Sequence, residues 1–202
     1  MAGDTADTPE TGRNRTHSQL SDAELADFLA GLSAVSRPLI CDWFRGSEAV
    51  EWKPDASPVT RADKAVETAL RAAIEARFPD DAILGEEHAA RPGSGKTGYS
   101  WVIDPIDGTR AFVCGRPVFG TLVGLVDGTT PVAGLNDMPL LDECYVGVGG
   151  KTVLNGAAAT TSQVTSLARA RIASTAPEAL LADSLAAFNR MVDQAAITVY
   201  GG

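Results

Sequence analysis

The chain has 202 residues, a formal net charge of −9, and 45% hydrophobic against 21% charged residues. That balance supports one globular domain or two small lobes with a real core, and it excludes a chain disordered throughout. With no clustered Lys or Arg the protein is not built to track a nucleic-acid backbone, and no apolar run approaches the roughly 18 residues that span a bilayer.

Residues 1–20 are polar, lack the apolar stretch of a signal peptide and read as a disordered tail. Ser21 and Glu24 form the pattern of a capping box. Leu25, Phe28, Leu29, Leu32, Val35, Leu39, Ile40 and Phe44 then recur at helical spacing, so a long amphipathic helix is expected over 22–44, kinked at Pro38. The segment Lys53-Pro54-Asp55-Ala56-Ser57-Pro58 is turn-rich. A second helix is expected over 61–78, burying Val66, Leu70, Ile74 and Phe78. The short apolar run Ala82-Ile83-Leu84-Gly85 delivers Glu86 and Glu87 at its carboxyl end. Residues 91–98 read as a loop, and a strand over 99–103 delivers Asp104 in the same way. Strands near 119–126, 131–136 and 143–147, divided by turns at Asp127-Gly128 and Leu140-Leu141-Asp142, predict an antiparallel meander. Residues 151–166 are small and polar, without an expected element. A strand over 170–174, a helix over 177–192 and a strand over 196–200 close the sequence. Cys41, Cys114 and Cys144 are too few and too scattered for a disulfide framework or zinc knuckle and read as reduced thiols in a cytoplasmic protein.

The acidic residues carry the functional signal. In Asp104-Pro105-Ile106-Asp107 two carboxylates stand three residues apart on a segment stiffened by Pro105, where the Ile106 carbonyl can face the same centre. With Glu86 and Glu87 they offer hard oxygen ligands, which suit Mg²⁺, whereas zinc would prefer His or Cys and the only histidines are His17 and His88. Gly108-Thr109 opens a short helix, where free backbone N–H groups donate to phosphate oxygens and the Thr109 hydroxyl can orient a metal-bound water. Taken alone, Asp-x-x-Asp-Gly reads as a solvated turn and Glu86-Glu87 as a surface pair. Strand, paired acids, strand, Asp-Pro-Ile-Asp and a Gly-Thr helix start together point to a cation and phosphate site, which also gives an acidic protein its local positive charge.

Gly85-Glu86-Glu87 followed by Trp101-Val102-Ile103-Asp104-Pro105-Ile106-Asp107-Gly108-Thr109 resembles the joint signature of the inositol monophosphatase superfamily. The resemblance runs over about 21–202. It implies an α+β fold, a layered αβαβα sandwich, in which metal-activated water attacks a small phosphate monoester directly. Carried over residue by residue, it implies Glu86, Asp104, Asp107 and the Ile106 carbonyl as Mg²⁺ ligands, with Mn²⁺ as a substitute cation and Glu87 beside them. Gly108 and Thr109 match the phosphate cradle. Asp63 matches a helix-borne aspartate that hydrogen-bonds the threonine and helps polarise the water; without the resemblance it reads equally as a first-turn helix carboxylate. Lys53 corresponds to a lysine near an optional third metal.

Arg110-Ala111-Phe112, Gly115-Arg116-Pro117 and Phe119-Gly120-Thr121-Leu122 resemble the bacterial histidinol-phosphate phosphatase branch. The expected substrate is therefore histidinol phosphate, an intermediate of histidine biosynthesis, with Arg110 on the substrate side or simply a surface arginine, and Asn136 and Asp137 as candidates for shaping the pocket. An inositol-1-monophosphatase or a broad sugar-phosphate phosphatase is the enzymatic alternative. Family members continue past Tyr200-Gly201-Gly202 with Asp-Cys-Tyr and a later aspartate that binds the second metal. The expectation is thus a C-terminally truncated fold: a lobe over 21–165 carrying the metal site, the start of a second over 166–202, and a homodimer in the full-length parent. On that ground a catalytically inactive fragment is the alternative of another class.

Overall fold

The computed structural model describes residues 20–46, 51–52, 58–175 and 182–201. The expected tail, Lys53 with its turn, and the start of the last expected helix lie outside the described residues. Helix α1 is Asp22–Trp43 and opens as the sequence implies: Ser21 Oγ accepts from the Glu24 amide at 3.2 Å, and Glu24 Oε2 accepts from the Ser21 amide at 2.9 Å. The helix runs through Pro38 with Leu29, Leu32, Ser36 and Ile40 buried on both sides of it, so packing outweighs the lost backbone bond. Strands β1 (Glu51–Trp52) and β2 (Pro58–Val59) pair before α2, Arg61–Arg77. A second capping box starts α2, with Thr60 donating its amide to Asp63 Oδ2 at 2.7 Å.

A seven-stranded sheet follows in chain order: β3 (Ala82–Gly85), β4 (Tyr99–Asp107), β5 (Gly120–Asp127), β6 (Thr130–Met138), β7 (Glu143–Val148), β8 (Lys151–Leu154) and β9 (Ala157–Ala159). Helix α3 (Thr109–Val113) lies between β4 and β5. Only the β3–β4 pair is parallel within this sheet; the rest is the expected meander, extended by two strands. Those strands fall in the segment expected to carry no element. Their signal was the Asn155-Gly156 pair, whose φ values of 48° and 79° are those of a tight hairpin turn. β10 (Arg171–Ser174) and β11 (Ile197–Tyr200) form a separate parallel pair joined through α4, Ala182–Val192.

α1 and α2 pack side by side on one face of the large sheet, α1 over β5 to β7 and α2 over β4. Trp101 is fully buried between them, edge-on to Phe28 at 5.6 Å between ring centroids, and its indole N–H donates to Asp81 Oδ2 at 3.0 Å. A second aromatic group, Phe44, Phe112 and Phe119, fixes α3 to the end of α1 with centroids 5.2 to 5.8 Å apart.

Asp137 corrects an expectation. Ala133, Leu135 and Asp137 alternate on the helix-facing side of β6, which leaves Asn136 exposed on the other face. Asp137 is fully buried and takes a forked pair of bonds from Arg37 of α1, Nε at 3.0 Å and Nη2 at 2.8 Å, while Arg37 Nη1 reaches Asp142. It is therefore a clamp between helix and sheet, not a pocket residue. Asp137→Ala removes the buried acceptor of Arg37 and leaves it only the exposed Asp142, so it is expected to lower stability by about 3 kcal/mol in a urea titration; a loss below about 1 kcal/mol would show the pair to be dispensable.

Candidate functional site

The site is assembled by strand register. Parallel pairing sets Gly85 opposite Ile103, so the next residues along the two strands, Glu86 and Asp104, lie beside one another. In a regular strand, residues three apart face opposite sides of the sheet. Here Asp104 pairs with Leu122 and Asp107 with Gly120, so Pro105 and Ile106 together oppose Thr121 alone. This bulge returns Asp107 to the face of Asp104. Thr121 is buried and holds the bulge, donating Oγ1 to the Pro105 carbonyl at 2.9 Å. The Ile106 side chain sinks into the core, and its carbonyl accepts the Thr109 hydroxyl at 3.0 Å. Gly108 turns the chain into α3 at φ 90°, where a Cβ would press on the Val118 carbonyl at 3.2 Å.

Asp104 is the electrostatic centre. Its Oδ1 is buried without a hydrogen-bond partner. Burial first, then the charges of Glu86 and Asp107, a hydrogen bond to Glu86 and the charge of Asp63, push its carboxyl up to about 7. The sequence-expected carboxylates Glu86, Asp104, Asp107 and Asp63 are thus gathered within electrostatic reach. Among the described residues no three His, Cys, Asp or Glu side chains are drawn close enough to hold a metal ion as they stand. Asp63 is buried, and the threonine it engages here is Thr60, whose hydroxyl lies 2.6 Å from Oδ2. Glu87 is half-buried and its amide bonds Glu67; Arg110 is exposed on the first turn of α3, whereas Ala111 and Phe112 are buried. His88 turns away to α2, its Nε2 lying 3.1 Å from Thr68 Oγ1 and 3.2 Å from the Lys64 carbonyl oxygen.

Sequence reasoning missed three polar groups that shape the site: Glu67, Asp81 and Thr121. Asp63, Glu67 and Arg71 recur every four residues along α2, a spacing that places them on one stripe beside the apolar face. That stripe was the available signal.

The inositol monophosphatase family matches residues 22–190, and the chain belongs to that family. The chain is 38% identical over 192 residues to the chloroplastic bifunctional phosphatase IMPL2 of Arabidopsis thaliana, covering 93% of this chain and 56% of that protein. It is 37% identical over 153 residues to the histidinol-phosphatase of Chlorobaculum parvum, covering 74% of this chain and 58% of that protein. The chain therefore spans less than two thirds of either relative. An inositol monophosphatase structure from Zymomonas mobilis superposes with a TM-score of 0.76 at 34% identity, over 91% of this chain and 71% of that one. The layered α+β architecture expected from the signature is the one observed.

The donor set fits a hard divalent cation. It consists of carboxylate oxygens and a backbone carbonyl, and it contains one buried carboxylate oxygen with no proton donor to satisfy it. The sign of the proton linkage follows. Folded Asp104 keeps its proton up to about pH 7, while the unfolded chain loses it near the ordinary aspartate value of 3.8. The folded state thus binds more protons between those limits, and the metal-free protein loses stability as pH rises through that window. Asp104→Asn is expected to flatten this slope and to melt above the wild type at about pH 8, and millimolar Mg²⁺ is expected to raise the wild-type Tm but not the variant's. Calorimetric melts across pH check it; a variant less stable than the wild type at about pH 8 would refute the repulsion at Asp104.

Proposed function

We propose that the protein is a Mg²⁺-dependent phosphomonoesterase of histidinol phosphate. The observation that carries the reading is Asp104: a half-buried carboxylate with one buried, unsatisfied oxygen, set among Glu86, Asp107 and Asp63, whose charge a divalent cation would neutralise. Glu86, Asp104, Asp107 and the Ile106 carbonyl would hold Mg²⁺, or Mn²⁺ in its place. When bound, such a cation supplies Lewis-acid stabilisation of the phosphate and makes water a usable nucleophile near neutral pH.

The chain's own groups prepare the rest. Thr109 commits its proton to the Ile106 carbonyl, which fixes the hydroxyl rotor and leaves its lone pairs free to accept from a water. Gly108 lets the backbone turn tightly at the start of α3, so that peptide N–H groups can meet phosphate oxygens. Arg110, one residue into that helix and exposed, is the positive group available to a substrate approaching from solvent. Asp63 adds buried negative charge behind Asp104 and favours cation uptake. The choice of histidinol phosphate is supported by the named activity of the Chlorobaculum relative and by the Arg110-Ala111-Phe112 sequence. The separation of the seven-stranded sheet from the β10–β11 pair supports a division into lobes near residue 165, between β9 and β10.

Phosphate release from L-histidinol phosphate and from inositol 1-phosphate, each with Mg²⁺ and with a chelator, tests the reading on the 202-residue chain and on the gene product if that is longer. The expected result is a kcat/KM for histidinol phosphate at least about tenfold above that for inositol 1-phosphate, abolished by chelation. Equal or reversed preference would discard the substrate, and release unaffected by chelation would discard the metal.

A further inference from the structure

We infer that Glu67 is a positioning residue for the cation site: its carboxylate holds the backbone of the loop that presents Glu86. Glu67 is fully buried on α2, an environment that a lone carboxylate avoids. It accepts from the amide of Glu87 at 2.7 Å, from the amide of His88 at 3.3 Å and from Arg71 Nε at 2.7 Å. Two consecutive amides and a guanidinium are all donors, so the acceptor-only carboxylate is the side chain that satisfies them together. The same loop is tied to α2 twice more, by Arg71 Nη2 to the His88 carbonyl at 3.3 Å and by the His88 ring against Lys64 and Thr68.

Gly85 completes the fit. A Cβ built there would overlap the Glu67 carboxylate, so the glycine before the two glutamates is what lets the carboxylate reach the loop. The result is a hydrogen-bonded link from α2 to the two residues after Glu86, with Gly85 packed close against the same carboxylate before it. Glu67 itself bonds backbone and Arg71, so it acts through the loop and not on the substrate.

The inference rests on the reading of Glu86, Asp104 and Asp107 as cation ligands, and the test separates the two. In the full 202-residue chain, E67Q keeps the volume but turns an amide donor toward other donors. Two readouts are taken: amide exchange at Glu87 and His88 in metal-free protein, and Mn²⁺ binding followed by loss of the free-ion spin-resonance signal. E67Q is expected to speed exchange at those two amides at least about tenfold and to weaken Mn²⁺ binding by about 10- to 100-fold. Wild-type Mn²⁺ affinity in a folded E67Q overturns the inference. D104N is measured alongside: if it binds Mn²⁺ like the wild type, or if the wild type binds none, the cation reading fails and takes this one with it. If E67Q does not fold, R71M is read instead, with at least about threefold weaker Mn²⁺ binding expected and an unchanged affinity overturning the inference.

Discussion

The register of β3 against β4 is the constraint on which the site depends. One parallel pairing, Gly85 to Ile103, brings the Gly-Glu-Glu segment and the Asp-Pro-Ile-Asp segment to a common end of the sheet. A slip of one residue would turn every side chain of β3 to the other face and carry Glu86 away from Asp104. The protein secures this register at both ends. At the start of the strands Asp81 takes the Trp101 indole and the Thr97 hydroxyl, and at their finish Glu67 takes two loop amides. Charge repulsion at the carboxylate end is thereby opposed by buried polar anchors that do not themselves belong to the cluster.

The polar anchors also explain why the tract reads as it does. Trp101 supplies apolar area to the core and an N–H for Asp81; Ile103 and Ile106 are core residues on either side of Asp104. Pro105 and Ile106 are the bulge, and Thr121, fifteen residues past Ile106, secures it. Half of this segment is therefore packing and half is chemistry. The bulge is where the alternation switches from one to the other.

Much of this was legible in the sequence because it is local. The capping box at Ser21, the helical periodicity of α1 and α2, and the strands flanking Asp127-Gly128 are set by neighbours a few residues apart. The carboxylates of the site were legible because two motifs announce them. The anchors were not, since Glu67 and Asp137 on a helix and a strand look like ordinary surface acids until tertiary packing buries them. β8 and β9 were missed because β8 is only four residues long, β9 is three alanines with weak strand preference, and the Asn-Gly turn between them went unweighted. Cys41, Cys114 and Cys144 are free thiols. No helix among the described residues is long and apolar enough to cross a membrane.

The clamp between Arg37 and Asp137 spans 100 residues of sequence. During synthesis at about 5 to 20 residues per second, α1 leaves the ribosome some 5 to 20 s before the strand it is fastened to exists. Its apolar stripe, Leu25 to Ile40, must be kept from strangers over that interval, and α2, which follows at once and packs beside it, is the nearest shelter. The order of elements along the gene thus gives the first helix a temporary partner before its permanent one, and Arg37 finds its carboxylate only once β6, the fourth of the seven strands, has been made.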